Sequence, residues 1–482
     1  MPNDKTANTD VKENPKDGPK EAGAAGAAGK MFDDAYTSPK RKESKESKKR
    51  STSDTEEQPL DPHLITHRRD AVPPAQPESL PTLELIQNDT ETQSRGKQFS
   101  ENAKTVFSKV DTDGDGKLTN IEIDKAVNNA DIKGAEAQVV AAMKTNNATL
   151  SSLVDDGGFT LADLEIVEKK SEDGDAAVNG VLNSVSYSAE SLAKAKKTDY
   201  KLFAAPNALD SIVPEAATQG GLGDCYFISA LSSAASTEQG RRAIRDMIQE
   251  NKDGTYTVTF PGAPDEPIRI TRPTDAQLAL YAKATEHGIW AAVLEKAYGE
   301  YSSRSVLRRN ESTLMPSEIP QENVGEGSCR ADGLRMISPG GVNSYDFNFS
   351  LASDDELDKE LTAATQSGRA ITLNSNEFLG EDTLTKYGII NIDDKGVPRS
   401  HEFAVIGYDT QSKQLIIRNP WGRTEPRDSQ GRPKDGVDDG VYRMSLEEVR
   451  KTFKRLNVAE KAPSGRFLDS PIKADEKNTK AA

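Results

Sequence analysis

The chain of 482 residues carries a formal net charge of −16 at pH 7, and only 34% of its residues are hydrophobic. The acidic excess argues against a nucleic-acid-binding protein, because neutralising phosphates requires an excess of Lys and Arg. The low hydrophobic content indicates that part of the chain does not fold, while the remaining length is sufficient for an enzyme core.

Cysteine content and hydropathy indicate in which cellular compartment the protein is expected. The two cysteines, Cys225 and Cys329, are too few for a disulfide framework. The N-terminus has no apolar segment of the signal-peptide kind, and no apolar run approaches the ~18 residues of a membrane helix. We therefore expect no membrane span and a cytoplasmic protein, with secretion by an unusual route left open.

Residues 1–97 are predicted to be disordered, because they are rich in charged and small residues and poor in large apolar ones. Within them, residues 40–50 (KRKESKESKKR) have two interpretations. The segment is either a weak import signal or patch for anionic surfaces, or a solvated charged stretch. We favour the second interpretation, since Glu43 and Glu46 dilute the positive charge.

Order is expected from residue 98, where a helical pattern leads into the sequence DTDGDGKLTNIE at 111–122. This spacing is typical of an EF-hand loop, in which a hard cation takes six to eight oxygens and Gly116 makes the sharp turn. The loop therefore predicts a Ca²⁺ site. Its candidate ligands are Asp111, Asp113, Asp115, Lys117 through its backbone carbonyl, and Glu122.

A second loop at 152–163 has weaker ligands. Aligning Gly157 with the turn glycine puts Val154, which has no side-chain oxygen, at a ligand position, and Phe159 opposite Leu118 of the first loop. We expect this loop to pair with the first without binding metal. Residues 98–172 are thus predicted to be an EF-hand pair, followed by a linker at 173–195.

From residue 196 onward the pattern is mixed helix and strand. Cys225 follows the glycine-rich sequence QGGLGD and opens a predicted helix. A helix dipole, with a histidinium nearby, would lower the thiol pKa to ~3.5–7.5. Gln219 and the Cys225 backbone N–H would together form an oxyanion hole. Cys329 has no such context and is interpreted as a passive thiol.

His401 is the histidine best placed to assist the thiol. His63 and His67 fall in the predicted disordered region, and His287 has an ordinary helical setting. His401 begins the predicted strand HEFAVIGYD, and Asn419 ends the next strand, QLIIRN. The hairpin would make His401 and Asn419 neighbours, so that Asn419 orients the imidazole and Trp421 shields their bond.

These motifs resemble those of the calpain family. QGGLGDCYF, SHEFAVIGYD and IRNPWG are similar to its cysteine, histidine and asparagine motifs, and residues 290–301 and 439–453 are similar to two further segments. The resemblance covers 196–465 and implies an α+β, papain-like core of two lobes. The helical lobe would carry Cys225 and the β-rich lobe His401 and Asn419, with an extended polypeptide bound between them. The tail 466–482 is expected to be disordered.

The sequence departs from this family at three positions. Ala216 and Gly288 stand where the resemblance implies calcium ligands in the core, so a calcium switch within the core is not expected. Ser400 stands where glycine often precedes the histidine.

The predicted function is that of a cysteine endopeptidase, with Cys225, His401, Asn419 and Gln219 as catalytic residues and calcium modulation through the EF-hand. One alternative is a catalytically silent, calcium-responsive binding module. Another is a papain-like fold with other acyl chemistry, such as deubiquitination or transamidation. The presence of all four site residues favours peptide hydrolysis.

Overall fold

The computed structural model describes residues 89–153, 158–309, 331–348, 352–376 and 396–461. Most of the predicted disordered region 1–97 and all of the tail 466–482 lie outside these residues. The described chain is α+β, as the sequence predicts: helices dominate its first part and a large antiparallel sheet its second. None of the described helices is long and apolar enough to cross a membrane.

Six helices and one pair of short strands form an N-terminal unit. These elements are α1 (Asp89–Val110), β1 (Lys117–Leu118), α2 (Asn120–Val127), α3 (Gly134–Thr145), α4 (Asn147–Ser152), β2 (Phe159–Thr160), α5 (Asp163–Glu172) and α6 (Ala176–Lys197). Strand β1 pairs antiparallel with β2, and Leu118 lies opposite Phe159. The pairing expected between the two loops is therefore present, and helix α1 begins before the expected onset of order at residue 98.

Helix α6 replaces most of the linker predicted at 173–195. Asp175 caps the helix, because its Oδ1 accepts the backbone N–H groups of Ala177 and Val178 at 2.9 and 3.0 Å. The apolar stripe of α6 is buried, but serine and glycine interrupt it in the sequence and hide its helical period. The buried apolar side chains of α6 are Val178, Val181, Leu182, Leu192 and Ala195.

The N-terminal unit packs against helix α10 (Asp275–Leu280) of the next part of the chain. Buried apolar residues of both parts belong to one continuous cluster, so the unit is not a separately tethered domain. Five hydrogen bonds join the unit to α10 and its cap: Thr274 Oγ1 to Val127 O (2.6 Å), Gln277 Nε2 to Asn128 Oδ1 (2.8 Å), Gly134 N to Asp275 Oδ2 (3.0 Å), Ser188 Oγ to Ala279 O (3.2 Å) and Ser191 Oγ to Leu278 O (2.6 Å).

The helical lobe is built around helix α8, whose residues from Tyr226 to Ala235 are all buried. The ring of Phe227 stacks on Tyr298 with 4.3 Å between centroids, which fixes α8 against a neighbouring helix. The elements of this lobe are α7 (Ala208–Ser211), α8 (Cys225–Ala235), α9 (Glu238–Met247), β3 (Ile248–Glu250), β4 (Tyr256–Val258), β5 (Ile268–Ile270), α10, α11 (Trp290–Arg309) and α12 (Asp332–Ile337).

The second lobe is a six-stranded antiparallel sheet with its own buried cluster. Its elements are β6 (Val342–Asp346), α13 (Asp354–Gln366), β7 (Ile371–Ser375), β8 (Glu402–Asp409), β9 (Gln414–Arg418), β10 (Val441–Ser445), α14 (Leu446–Thr452) and β11 (Phe453–Ala459). The strand order is β10-β9-β8-β7-β11-β6. Strands β8 and β9 form the predicted hairpin, with Ala404 opposite Arg418.

Helix α8 joins the two lobes through serine hydroxyls. Ser229 Oγ donates to the Glu402 carbonyl of β8 at 2.9 Å. Ser233 Oγ donates to Val405 O and accepts the Ile371 N–H, both at 2.8 Å. Small residues let the helix approach the strands closely, so the start of α8 lies beside the start of β8.

Ser233→Ala should lower the free energy of unfolding by about 1–3 kcal/mol, because it removes a buried hydroxyl that serves a carbonyl and an N–H of two strands. Urea denaturation measures the change. The control is Ser236→Ala, whose half-buried hydroxyl bonds only within its own helix end, and its effect should be smaller. An unchanged midpoint for Ser233→Ala would show that the bridge does not stabilise the lobe contact.

Candidate active site

The loop that precedes α8 is held tightly against the chain that follows α10. Gly220 has to be glycine, since a Cβ there would lie 1.8 Å from the carbonyl oxygen of Tyr281. The N–H of the next residue, Gly221, donates to Leu280 O at 2.7 Å. The glycines thus allow two backbone segments to touch, and the turn delivers Cys225 as the first residue of α8.

The surroundings of Cys225 disfavour a resting thiolate. Burial, together with the charges of Glu402 and Asp224, raises the pKa of its thiol to about 12, against backbone hydrogen bonds from Glu402 and Tyr226 that lower it. The lowered thiol pKa expected from the sequence is absent in this arrangement, because no charged imidazole accompanies the two nearby carboxylates.

His401 is fixed through its main chain. Its N–H donates to Ser375 Oγ at 2.9 Å, and the N–H of Ser375 donates to the His401 carbonyl at 2.9 Å. The preceding residue, Ser400, has φ of 51°, in the left-handed region that favours glycine. The departure from glycine noted in the sequence therefore falls at a strained position beside the histidine.

The hydrogen bonds of Asn419 determine which nitrogen of His401 carries the proton. Asn419 Nδ2 donates to Thr424 O at 2.9 Å, and its Oδ1 accepts the Trp421 N–H at 3.1 Å. These partners orient the amide so that Oδ1 faces His401 Nε2 at 3.0 Å. An amide oxygen only accepts, so Nε2 carries the hydrogen and Nδ1 of the neutral ring is the basic atom.

Trp421 covers the bond between His401 and Asn419. Its ring lies 4.3 Å from the imidazole centroid, and Phe403 meets the imidazole edge-on at 4.8 Å. Burial lowers the pKa of His401 to about 4, although the bond from Asn419 acts in the opposite direction. The imidazole is therefore neutral at pH 7.

Gln219 lies between the two lobes, in the loop before Cys225. Its N–H donates to Pro420 O at 2.8 Å, which ties this loop to the turn that follows Asn419. Its buried side-chain Nε2 donates to Leu222 O at 2.5 Å. An amide nitrogen has two hydrogens, so one N–H is engaged within the loop and one remains for another acceptor.

Part of this chain is similar in sequence to known proteins. The family model "Calpain family cysteine protease" matches residues 185–313, which include Cys225 but end before His401. Calpain-8 of Homo sapiens is 26% identical over 275 residues, covering 51% of this chain and 35% of its own length. The calpain-1 catalytic subunit of Mus musculus is 23% identical over 279 residues, with the same two coverages.

A plant relative extends the set: the calpain-type cysteine protease DEK1 of Arabidopsis thaliana is 27% identical over 225 residues, covering 43% of this chain and 9% of its own length. Part of this chain is thus similar to calpain-type cysteine proteases, and we call residues 196–465, where the sequence resembles that family, the calpain-like core. It spans about a third of the length of the two animal relatives.

In front of the calpain-like core, the predicted calcium loop brings three carboxylates together. Oxygens of Asp111, Asp113 and Asp115 lie within 4.8 Å of one another. Two oxygens bound to one Ca²⁺ at 2.3–2.6 Å are at most about 5 Å apart, so this spacing fits a shared ion. Gly114 and Gly116 have φ of 75° and 83°, the sharp turns that the loop requires.

Glu122, the predicted last ligand, is buried at the start of α2. Its Oε1 accepts the Thr112 N–H at 2.7 Å and its Oε2 accepts the Thr119 N–H at 2.9 Å. Burial opposes ionisation, but these bonds outweigh it and lower the pKa of Glu122 to about 2. The side chain is therefore an anion at neutral pH. Lys117, the predicted ligand through its backbone carbonyl, lies in β1. Val154 of the second loop lies outside the described residues.

The sequence analysis missed a second carboxylate cluster, inside the calpain-like core. Glu425, Asp435 and Asp439 bring oxygens within 4.8 Å of one another in the loop between β9 and β10. Glu425 is 1% exposed, and neither of its oxygens accepts a hydrogen bond within the described part of the chain. Burial and the neighbouring Asp charges raise its pKa to about 8. The acidic run DGVDDG at 435–440 was the available signal.

Ala216 and Gly288 occupy structural positions in the helical lobe. Ala216 is buried, and Gly288 has φ of 109°, with Leu202 O only 2.5 Å from where a Cβ would lie. Neither residue has a side-chain oxygen, so the expectation of no calcium at these positions stays consistent with their chemistry. That expectation does not extend to the cluster around Glu425.

The buried, neutral His401 should make the protein less stable in acid. Its folded pKa of about 4 lies below the unfolded value near 6.5. The unfolded chain therefore binds the proton first as the pH falls, and stability is lost between about pH 6.5 and 4, by up to about 3 kcal/mol. His401→Gln keeps an N–H donor for Asn419 and should remove this part of the pH dependence in urea denaturation. Equal slopes for the two proteins would contradict the neutral assignment.

Proposed function

We propose that the protein is a cysteine endopeptidase that hydrolyses polypeptides through Cys225, His401 and Asn419. The observation that carries the proposal is the oriented imidazole, whose Nε2–H donates to Asn419 Oδ1 at 3.0 Å while Nδ1 stays basic. The backbone of the next residue, Glu402, hydrogen-bonds the Cys225 thiol, so the histidine and the nucleophile are neighbours across the lobe contact.

In the proposed reaction, His401 Nδ1 takes the thiol proton as Cys225 Sγ attacks the scissile carbonyl carbon. The imidazolium then returns that proton to the leaving amine, and a thioester to Cys225 remains. Water, activated by Nδ1, attacks the thioester, releases the acid and restores the thiol. Glu402 and Asp224 disfavour the thiolate alone. Transfer of its proton to His401 creates a thiolate and an imidazolium that attract each other, so this transfer is less costly than ionisation of either group by itself.

Charge on the attacked carbonyl oxygen would be stabilised by two donors. The Cys225 N–H is at the start of α8, where backbone N–H groups lack partners within the helix. The second amide hydrogen of Gln219 is the other donor, since the first is held by Leu222. Donors fixed in this way cost no reorganisation when charge develops, which is the basis of an oxyanion hole.

Variants of the four residues test the mechanism. Cys225→Ala should abolish hydrolysis of a fluorogenic casein substrate, while Cys329→Ala, the control, should keep it. His401→Ala should lose nearly all turnover and Asn419→Ala less, because Asn419 orients the ring and transfers no proton. Gln219→Ala should lower kcat by roughly 10²–10³, as for the loss of one oxyanion donor.

Full activity of Cys225→Ala would overturn the proposed nucleophile, and wild-type turnover by Gln219→Ala would overturn the oxyanion role alone. The raised pKa of the Cys225 thiol favours a second candidate function, that of a catalytically silent binding module. A catalytically silent module predicts that the wild type hydrolyses casein at no calcium concentration. It also predicts that the Cys225→Ala protein still binds unfolded casein.

We further propose that calcium modulates this activity from the N-terminal loop. Asp111, Asp113 and Asp115 would hold Ca²⁺ with Glu122 and the Lys117 carbonyl. The fit rests on the clustered oxygens and the anionic Glu122. The ion would supply no chemistry to the peptide bond, because its role is to fix the angles of α1 and α2.

A structural route connects this loop with the nucleophile. Helix α2 ends at Val127, whose carbonyl accepts Thr274 Oγ1 at 2.6 Å at the start of α10. Helix α10 ends at Leu280, whose carbonyl accepts the Gly221 N–H at 2.7 Å. Two helices, α2 and α10, therefore connect the calcium loop with the turn before Cys225, and a change in α2 has a packed path to that turn.

The cluster of Glu425, Asp435 and Asp439 is proposed as a second cation site. Three carboxylates around a buried, unpartnered Glu425 repel one another unless a proton or a cation is present, and carboxylate oxygens are the ligands that Ca²⁺ prefers. Asn419 donates to Thr424 O, directly before Glu425. An ion here would therefore order the turn that orients the histidine.

Glu122→Gln and Glu425→Gln separate the two sites. Each variant should lose one calorimetric Ca²⁺-binding event, and Glu425→Gln should reduce calcium stimulation of kcat more, since its site adjoins Asn419. Exposed Glu286→Gln is the control. Thermal unfolding with and without Ca²⁺ gives a readout independent of activity. Wild-type binding in both variants would remove the calcium proposal.

A further inference from the structure

A pair of buried carboxyl groups lies directly beneath the proposed nucleophile. Asp224, the residue before Cys225, is 0% exposed, and Glu295 on α11 is 1% exposed. Their side chains hydrogen-bond each other. Two carboxylates cannot bond without a proton, so one of the groups retains its hydrogen. The proposed mechanism does not use this pair.

The remaining contacts of the two side chains also indicate that one carboxyl group retains its hydrogen. Glu295 Oε2 accepts the Ala282 N–H at 2.5 Å. Apart from this contact between the two carboxyl groups, no N–H or O–H of another residue in the described part of the chain donates to either side-chain oxygen of Asp224 or to Glu295 Oε1. Buried oxygens without donors are costly, and a proton held between the two groups supplies the missing donor.

Glu295 thereby connects two segments that shape the site. Through Asp224 it holds the start of α8, where the Asp224 carbonyl accepts the Phe227 N–H at 2.8 Å. Through Ala282 it holds the segment that runs beside the loop before Cys225. In that segment the Lys283 N–H donates to Thr218 O at 2.9 Å, next to Gln219.

We propose that Asp224 and Glu295 share one proton and that this pair positions both the nucleophile and the loop that carries Gln219. Glu295 is thus a positioning residue, which acts through Asp224 and never touches the substrate. The inference rests on the proposed function for its effect on turnover, but the reactivity of the Cys225 thiol reports it independently.

Loss of the shared proton would place two negative charges in the buried site. The charge of Asp224 already raises the pKa of Cys225, and a second charge beside it would hinder thiolate formation further. Lys296, the neighbour of Glu295, does not offset this, because its Nζ donates to Gln277 Oε1 at 2.8 Å and to Thr271 Oγ1. The titratable groups around the pair are Cys225 and Tyr226 on α8, Lys296 and Tyr298 on α11, Asp332 on α12 and Glu402 on β8.

Glu295→Gln reproduces the bonds without the titratable proton, since its amide N–H can donate to Asp224 and its oxygen can accept from Ala282. Glu295→Ala removes both bonds. We expect Glu295→Ala to lower kcat by about tenfold or more with little change in KM, as for a misplaced catalytic group. We expect Glu295→Gln to recover most of that loss near pH 7. Exposed Glu286→Gln should match the wild type.

The decisive readout is the rate of Cys225 alkylation by iodoacetamide against pH, measured on Cys329→Ala protein. At pH 7 both proteins carry one buried charge, so Glu295→Gln and the wild type should be alkylated at the same rate; at alkaline pH the wild-type pair loses its proton and gains a second charge, so the midpoint of Glu295→Gln should lie about one unit lower. If Glu295→Ala fails to fold, the alkylation profile of Glu295→Gln still decides the matter. Alkylation of Glu295→Gln that is already about tenfold faster than that of the wild type at pH 7 would show two charges in the wild-type pair and would overturn the shared proton. A folded Glu295→Ala with wild-type kcat would overturn the positioning role. An inactive wild type with the shifted profile would reject the protease function and leave the carboxyl pair standing.

Discussion

The contact between helix α8 and strand β8 is the constraint on which the site depends. Ser229 and Ser233 use short hydroxyl side chains to bond carbonyls of β8, so the helix lies against the strand without a layer of large side chains between them. Cys225 begins that helix and His401 immediately precedes that strand. The proposed nucleophile of one lobe and the proposed base of the other thus meet because the two elements are joined along their length, and loops need only supply the final orientation.

The same close packing creates the electrostatic character of the site. His401 is buried under Trp421, which favours the neutral ring, and Cys225 lies near Glu402 and Asp224, which favour the neutral thiol. Two neutral partners form a stable resting pair that does not react with water or oxidants as a thiolate would. In the proposed reaction, a peptide bound between the lobes would displace water and present its carbonyl, and the proton would then move within the pair, whose net charge would stay the same. Reactivity therefore depends on substrate and geometry more than on the pKa of the isolated thiol.

Local patterns predicted the features that depend on neighbouring residues along the chain. The loop spacing at 111–122, the strand that follows His401 and the glycines before Cys225 all lie within single motifs, and their geometry follows from turn and strand chemistry. The sequence could not predict features set by distant packing. Helix α6 was hidden because serine and glycine interrupt its apolar stripe, and the rise of the thiol pKa comes from residues far apart in the chain. Asp224 and Glu295 are separated by three helices and three strands, and neither local sequence indicates that the two side chains meet.

The packing of the N-terminal unit against the core determines how calcium binding at its loop would affect the two lobes. A flexible linker would isolate the loop from the core, but α6 and α10 share one buried apolar cluster with α8. Tyr187 of α6 accepts a hydrogen bond from Arg423 at 2.6 Å, directly beyond the turn that carries Trp421, so the unit also touches the second lobe. A unit packed on both lobes cannot be ordered without restraining them. By thermodynamic linkage, an ion that stabilises one arrangement of the unit stabilises the lobe arrangement packed against it, and a peptide that closes the lobes strengthens ion binding to the same degree.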